Sequence, residues 1–377
     1  MQPEQPVTSK KKSRFIRLLI LINVALAFML LCVQLSCKIS PESFWVFEPL
    51  SYTYPFFVII NISFLIFWAI RRSKYAFISL AIIIMGYDKL ALMYQPPMFV
   101  MESPVSKNQF KVMSYNVRLF DLYNWSGNQK TRSEIFEVLK KEAPQVVCFQ
   151  EYYHSDEKKF SNNDTIAELL NLEYAHIEYG LTLKDKYHWG LATFSNYPII
   201  NKGKLFFKEG STNFGMYCDV LYNKDTVRIY NVHLQSNHFK QNDYKFIDDP
   251  NVEDQDQFLK GSKSIFKSIK KGAEIRSRQV DELSSHIENC PYPVILSGDF
   301  NDPPYSYAYT SIARHLIDSY TEKGKGFGIS FNGAFIPYRI DYILHSDYFE
   351  CLKYSMVRKK LSDHYPIVVT LKPKGKH

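Results

Sequence analysis

No two cysteines of this chain stand in a CxxC pair or in a Cys/His spacing that would hold zinc. The six (Cys32, Cys37, Cys148, Cys218, Cys290 and Cys351) are scattered, and Cys148 and Cys218 lie in apolar, strand-like runs where they read as small buried hydrophobes. There is no internal repeat, which argues against a solenoid or propeller. A broad basic face is missing as well. The 377 residues carry a formal charge of +8, but residues 1–100 hold ten Lys/Arg against four acids, which leaves only +2 on residues 101–377. A near-neutral C-terminal region lacks the electrostatic footprint of a nonspecific DNA binder.

With 46% hydrophobic and 22% charged residues the composition is globular, and the length suits one large domain with an appendage. The appendage is apolar. Leu18–Leu35 has no charge over eighteen residues, enough to span a bilayer. A second run covers Pro55–Ile70, and a third, Tyr75–Tyr94, is interrupted by Asp88 and Lys89. Trp45, Trp68 and several tyrosines near the run ends suit the membrane interface. Basic residues precede the first run (Lys10 to Arg17) and separate the second from the third (Arg71, Arg72, Lys74). The positive-inside rule then puts both groups in the cytoplasm, and a third crossing would put residues 101–377 outside it. A cleaved leader over Met1–Cys37 is the rival reading, opposed by the two later apolar runs.

Prolines at 96, 97 and 104 mark a linker over 96–108, between a membrane anchor at 1–95 with about three transmembrane helices and a domain at 109–372. In that domain short β-like runs alternate with helical patterns. Strands are expected at 110–115, 145–149, 190–195, 215–222, 226–234, 293–298, 339–344 and 366–371, and amphipathic helices at 132–141 and 265–287. Hydrophobic sheets faced by helices predict a layered α/β sandwich. The acid-rich Asp243–Asp256 and basic Lys260–Arg278 segments read as solvated faces, or else as a lid over a site.

Polar residues recur where these strands end: Asn116, Glu151, His233, Asp299, Asn301, Asp341, Asp363 and His364. Singly, an Asn or Asp there is most often a turn former or helix cap, and a lone His is structural. Together they are carboxylates, amides and imidazoles without a thiolate, a set that selects a hard cation such as Mg²⁺ or Mn²⁺ and offers groups for proton transfer.

The ordered motifs MSYNVR (113–118), FQE (149–151), GLATFSNYPI (190–199), YNVHLQS (230–236), SGDFND (297–302), RIDYIL (339–344) and SDHYPI (from Ser362) resemble the endonuclease/exonuclease/phosphatase family. The resemblance covers about residues 109–372. It implies a four-layer α/β sandwich with two central mixed β-sheets, here preceded by an all-α transmembrane segment. It also implies hydrolysis of phosphodiester or phosphomonoester bonds with Mg²⁺ or Mn²⁺. By the same resemblance Glu151 is the principal metal ligand, with Asn116 and Asp363 beside the metal. Asp299 orients or activates water, and Asn116 and Asn301 contact the phosphoryl oxygens. His364 is a catalytic histidine oriented by Asp341, and His233 is a second, which argues against the abasic-site branch. Asn196 stands where a Lys or Arg is common, which would remove a phosphate contact. The implied partners are a phosphate-ester substrate (nucleic acid, phospholipid or phosphorylated small molecule) and the lipid bilayer; no protein partner is implied. The alternative is a catalytically silent, membrane-tethered scaffold that kept the fold.

Overall fold

The computed structural model describes residues 8–97, 108–205, 207, 213–248, 254–333 and 337–374. Most of the expected linker and part of the Asp243–Asp256 segment lie outside the described residues.

Two six-stranded sheets form the centre of the C-terminal region. The first runs, in spatial order, Phe349–Met356, Ile367–Pro373, Phe110–Asn116, Val146–Ser155, Tyr187–Ser195, Tyr174–Leu183. The second runs Ile317–Asp318, Asp341–His345, Val294–Asp299, Asp225–His233, Gly215–Tyr222, Ile199–Leu205. Both are mixed on one plan: the middle pair is parallel and every other pair antiparallel. A parallel pair needs a crossover. In the first sheet the helix Thr131–Glu142 lies between the paired strands, and in the second the 34-residue helix Gln255–Glu288 does.

The period-two alternation of side chains separates the layers. Phe110, Val112, Val146 and Cys148 face Cys218, Val220, Ile229, Ile295 and Ile343 of the other sheet in one buried cluster. Met113, Tyr115, Val147 and Phe149 point the opposite way, onto Ile135, Val138 and Leu139 of the 131–142 helix. Leu296, Tyr230 and Val232 pack on Val280, Leu283 and Ile287 of the 255–288 helix. The result is helix, sheet, sheet, helix. Cys148 and Cys218 sit in the core between the sheets as expected.

Each strand and helix expected in the C-terminal region forms, several with longer limits. Besides the two-residue strands Ile317–Asp318 and Gly326–Phe327, three longer strands had no clear sequence signal: Tyr174–Leu183, Ile199–Leu205 and Phe349–Met356. All three are sheet edges and all three carry a register shift. An edge strand is half solvated and a bulge breaks its alternation, so period-two reasoning passes over it.

The N-terminal region is helical. Leu18–Leu35 falls within the helix Thr8–Ser36, and the second run forms Tyr54–Ile70. The third is two helices, Ala76–Met85 and Tyr87–Met93, bent by 71°. Among the described residues one helix is long and apolar enough to cross a membrane, or up to three spans exist if each bent pair is one. The three runs pack together through a buried polar knot. Asn23 Nδ2 donates to Ser79 Oγ (2.7 Å), Ser79 Oγ to Asn61 Oδ1 (3.2 Å) and Trp68 Nε1 to Asn23 Oδ1 (3.1 Å). Hydrogen bonds of this kind join helices where hydrophobic attraction between them is weak. The region also touches the sandwich: Tyr94–Gln95 pairs antiparallel with Gly326–Phe327, and the Tyr54 and Tyr305 rings stand 4.2 Å apart.

Candidate active site

Strand register gathers the polar residues. His233 is the register partner of Asp299, and Asp299 of Asp341, so three motifs distant in sequence lie side by side on neighbouring strands. Residues directly opposite one another share a face. Gly298 permits the approach, since a Cβ there would lie 2.0 Å from the Val232 carbonyl oxygen. In the other sheet Asn116 ends its strand opposite Gln150. The register then shifts between Phe149 and Tyr152, and Glu151 takes a left-handed backbone (φ 47°). Such a bulge re-aims a side chain away from the ladder. The bulge turns the Glu151 carboxylate toward Asn116 and His233.

Asp299 is the hub, and it is buried. Its Oδ2 accepts from Asn116 Nδ2 at 3.0 Å and stands 3.7 Å from Nε2 of both His233 and His364. Its Oδ1 accepts the Asn301 backbone N–H at 2.8 Å. Asn116 Nδ2 also reaches Glu151 Oε1 at 3.2 Å, and His233 Nε2 lies 4.0 Å from the same oxygen. His364 Nδ1 is 2.9 Å from Asp341 Oδ2.

These contacts set the charges. Burial pushes the Asp299 carboxyl up to about 6, against the pull of His364. Burial pulls the His364 imidazole down, but Asp341 and Asp299 outweigh it and hold it well above the usual histidine range. Burial lowers His233, with Asp299 opposing. Burial, reinforced by Asp363, raises Glu151. The two histidines are therefore unlike: one is held as an imidazolium and the other is pushed toward the neutral form.

Asn116, Glu151, His233, Asp299, Asp341 and His364 thus converge. Two expected residues make other contacts. The Asp363 carboxylate lies 3.4 Å from Arg118 Nε and accepts from Ser362 Oγ at 3.2 Å. The Asn301 side chain donates to the Leu234 carbonyl at 2.9 Å, from a left-handed backbone (φ 54°). One expectation is corrected. Asn196 follows the residue paired with Val146, at the end of the sheet opposite Glu151, and its N–H donates to Gln145 O. It stands a strand's length from Glu151.

Two sets of residues escaped sequence reasoning. Arg118 pairs with Asp363 and lies over the Trp125 ring at 4.7 Å. Gln150 and Asn231 bridge the sheets beneath the site, Gln150 Nε2 donating to Asn231 Oδ1 at 2.7 Å. Their signal was position: each adjoins, or lies within two residues of, a site residue in its motif.

Asp299, Asp341 and His364 bring ligand-type atoms within 4.8 Å of one another. His364 Nδ1 is bonded to Asp341, which leaves Nε2 as its other ring nitrogen, and an imidazole held by a carboxylate suits proton transfer. The set around Glu151 fits a cation better. It is oxygen-rich and free of thiolate, and Asp363 adds negative charge beside a carboxyl already raised by burial.

A family model described as the endonuclease/exonuclease/phosphatase family matches residues 113–364. A second, described as a domain of unknown function, matches residues 16–92. No curated protein matches the chain. Among solved structures, an endonuclease/exonuclease/phosphatase from Bacteroides vulgatus is similar at TM-score 0.53 and 14% identity, covering 71% of this chain and 100% of that one. One from Beutenbergia cavernae is similar at TM-score 0.52 and 18% identity, covering 71% of this chain and 72% of that one. The human nocturnin catalytic domain, solved with a bound sulfate anion, is similar at TM-score 0.51 and 14% identity, covering 74% and 100%.

Proposed function

Since the chain belongs to the endonuclease/exonuclease/phosphatase family, we propose that it is a membrane-anchored, divalent-metal-dependent phosphoesterase. The observation that carries this reading is Asp299 set between an imidazolium and a near-neutral imidazole, both 3.7 Å away.

Asp299 orients and activates the attacking water, and its raised pKa suits a group that accepts a proton near neutral pH. His364, fixed by Asp341, presents Nε2 toward the same space and meets the charge that develops on the phosphoryl oxygens. His233 stands on the other side of Asp299, placed to exchange a proton with the leaving or attacking oxygen. Asn116 holds Glu151 and Asp299 in one arrangement through a single amide. Asn301 fixes Asp299 through its backbone and turns its amide to the phosphoryl group when substrate displaces the Leu234 contact. Glu151, with Asn116 and Asp363 beside it, would hold Mg²⁺ or Mn²⁺, which when bound would offset negative charge on the phosphoryl group. The substrate is a phosphodiester or phosphomonoester within a nucleic acid, a phospholipid or a phosphorylated small molecule.

Residues 1–95 form the anchor and 109–372 the catalytic domain. Three crossings fit the buried Asn23–Asn61–Ser79 knot, which draws one residue from each apolar run. They also fit the docking: residues 41–53, between the first two runs, lie on the sandwich that follows the third. Both belong on one side of the bilayer, opposite Arg71, Arg72 and Lys74. By the positive-inside rule that side is extracytoplasmic. Labelling single cysteines at positions 44 and 72 in intact cells checks this: reagent access at 44 alone supports it, and access at 72 alone reverses it.

The enzymatic reading is tested with the full-length protein and Mg²⁺. Bis-p-nitrophenyl phosphate, p-nitrophenyl phosphate, plasmid DNA, sphingomyelin and a phosphoinositide are assayed side by side, with Asp299→Ala as the blank. Turnover of one class above the blank supports the reading and selects the substrate; no turnover of any by a folded protein favours the silent scaffold.

A further inference from the structure

The basic Lys260–Arg278 segment is more than a solvated face. Arg276, on the 255–288 helix, is fully buried. Its guanidinium donates in four directions. Two of them hold the chain just beyond His233: Gln235 O at 2.7 Å and Asn237 Oδ1 at 3.3 Å. A third holds Asp302, the residue after Asn301, at 3.0 Å. The fourth reaches Glu48 at 3.3 Å, in the segment between the first two apolar runs. The same segment contributes Tyr52, whose hydroxyl donates to Asp302 Oδ1 at 2.9 Å and accepts from Asn237 Nδ2 at 3.3 Å.

The segments leaving His233 and Asn301 therefore meet at one arginine, and the N-terminal region supplies Glu48 to that arginine and Tyr52 to two of its partners, Asp302 and Asn237. A buried charge is held in place only while its hydrogen bonds are complete. Without Glu48 and Tyr52, Asp302 and Asn237 each lose a partner on segments one or two residues from Asn301 and a few from His233. One charged contact between the two regions is unlike these. Glu42 to Arg278 (3.3 Å, Glu42 57% exposed) is a solvated pair, of the kind that contributes little.

We propose that Glu48 and Tyr52 are positioning residues for the active site: the N-terminal region completes the arginine hub that sets the chain segments leaving His233 and Asn301. The anchor is then part of the enzyme's working structure as well as its tether. This rests on the phosphoesterase reading for its consequence, though the hub's effect on the two segments can be read without turnover.

The test uses full-length protein in detergent micelles with Mg²⁺. Tyr52→Phe keeps the ring and deletes the hydroxyl; Glu48→Gln keeps the shape and replaces one carboxyl oxygen by an amide. Small displacements of reacting groups cost up to about a hundredfold in rate, so each variant should lower kcat by roughly tenfold or more while KM stays within about twofold. Glu42→Gln should leave both unchanged. Hydrogen exchange at residues 233–237 and 299–302 should quicken in Tyr52→Phe and Glu48→Gln, and not in Glu42→Gln. Unchanged kcat, or lower thermal stability with kcat of the folded protein intact, overturns the positioning role. Unchanged exchange overturns it even if the wild type turns over nothing. Faster exchange in an inert wild type background sustains the hub and counts against the phosphoesterase reading instead.

Discussion

The two sheets follow one plan and use it differently. Each has a parallel pair at its centre, and each presents site residues at or just past the end of that parallel ladder: Asn116 and Glu151 in the first, His233 and Asp299 in the second. Open α/β sheets gather ligands at such ends. The halves diverge in chemistry and in crossover. The first contributes a half-buried carboxylate turned aside by a bulge, suited to a cation; the second contributes a buried carboxylate among imidazoles, suited to proton transfer. The first crossover, Thr131–Glu142, packs through Ile135, Val138 and Leu139 and pairs its polar side with neighbours in its own half, such as Lys359 and Asn162. The second is 34 residues long and carries Arg276 to the N-terminal region. A shared backbone plan thus fixes where a site can form, and the lengthened crossover adds what the site is attached to.

The comparison breaks most severely at its proton-handling half. Asp299→Ala and His364→Ala should each cut kcat by roughly 10³-fold or more while the domain stays folded; steady-state kinetics with circular dichroism checks this. Asp341→Asn, which loses the partner of His364 Nδ1, should cost about 10²-fold. For the wild type, Asp299 must be ionised to act, so the rate should fall as pH drops through about 6, read from a kcat profile. Asp302→Asn weakens the hub alone and should cost roughly tenfold in kcat. The smallest effect sharpens the contrast between the crossovers. Leu139→Ala and Leu283→Ala remove the same buried side chain from the two helices. Each should lower stability by about 2–5 kcal/mol in denaturant titrations, and neither should change kcat of the folded protein more than about twofold.

The sequence displayed most of the site because its residues sit at strand ends in ordered motifs. Asn116, Glu151, His233, Asp299, Asp341 and His364 were all legible there, and the structure converges them. What stayed hidden depends on pairing between distant segments. The bulge at Glu151 and the registers of His233, Asp299 and Asp341 are set by neighbouring strands that no local pattern identifies. Arg118 was visible in MSYNVR but its contact with Asp363 spans most of the domain. Arg276 looked like one more charge on a basic helix; it is buried between Asp302 and Glu48, the latter more than two hundred residues away. The edge strands were missed because solvent and bulges erase their alternation.

The most direct test of the account is metal dependence in the full-length protein. Hydrolysis of bis-p-nitrophenyl phosphate and p-nitrophenyl phosphate is followed after EDTA treatment, then after adding back Mg²⁺ or Mn²⁺, with Glu151→Gln in parallel. The account predicts silence in chelator, recovery with either cation, and little recovery in Glu151→Gln. Full activity in chelator, or wild-type recovery in Glu151→Gln, would contradict it.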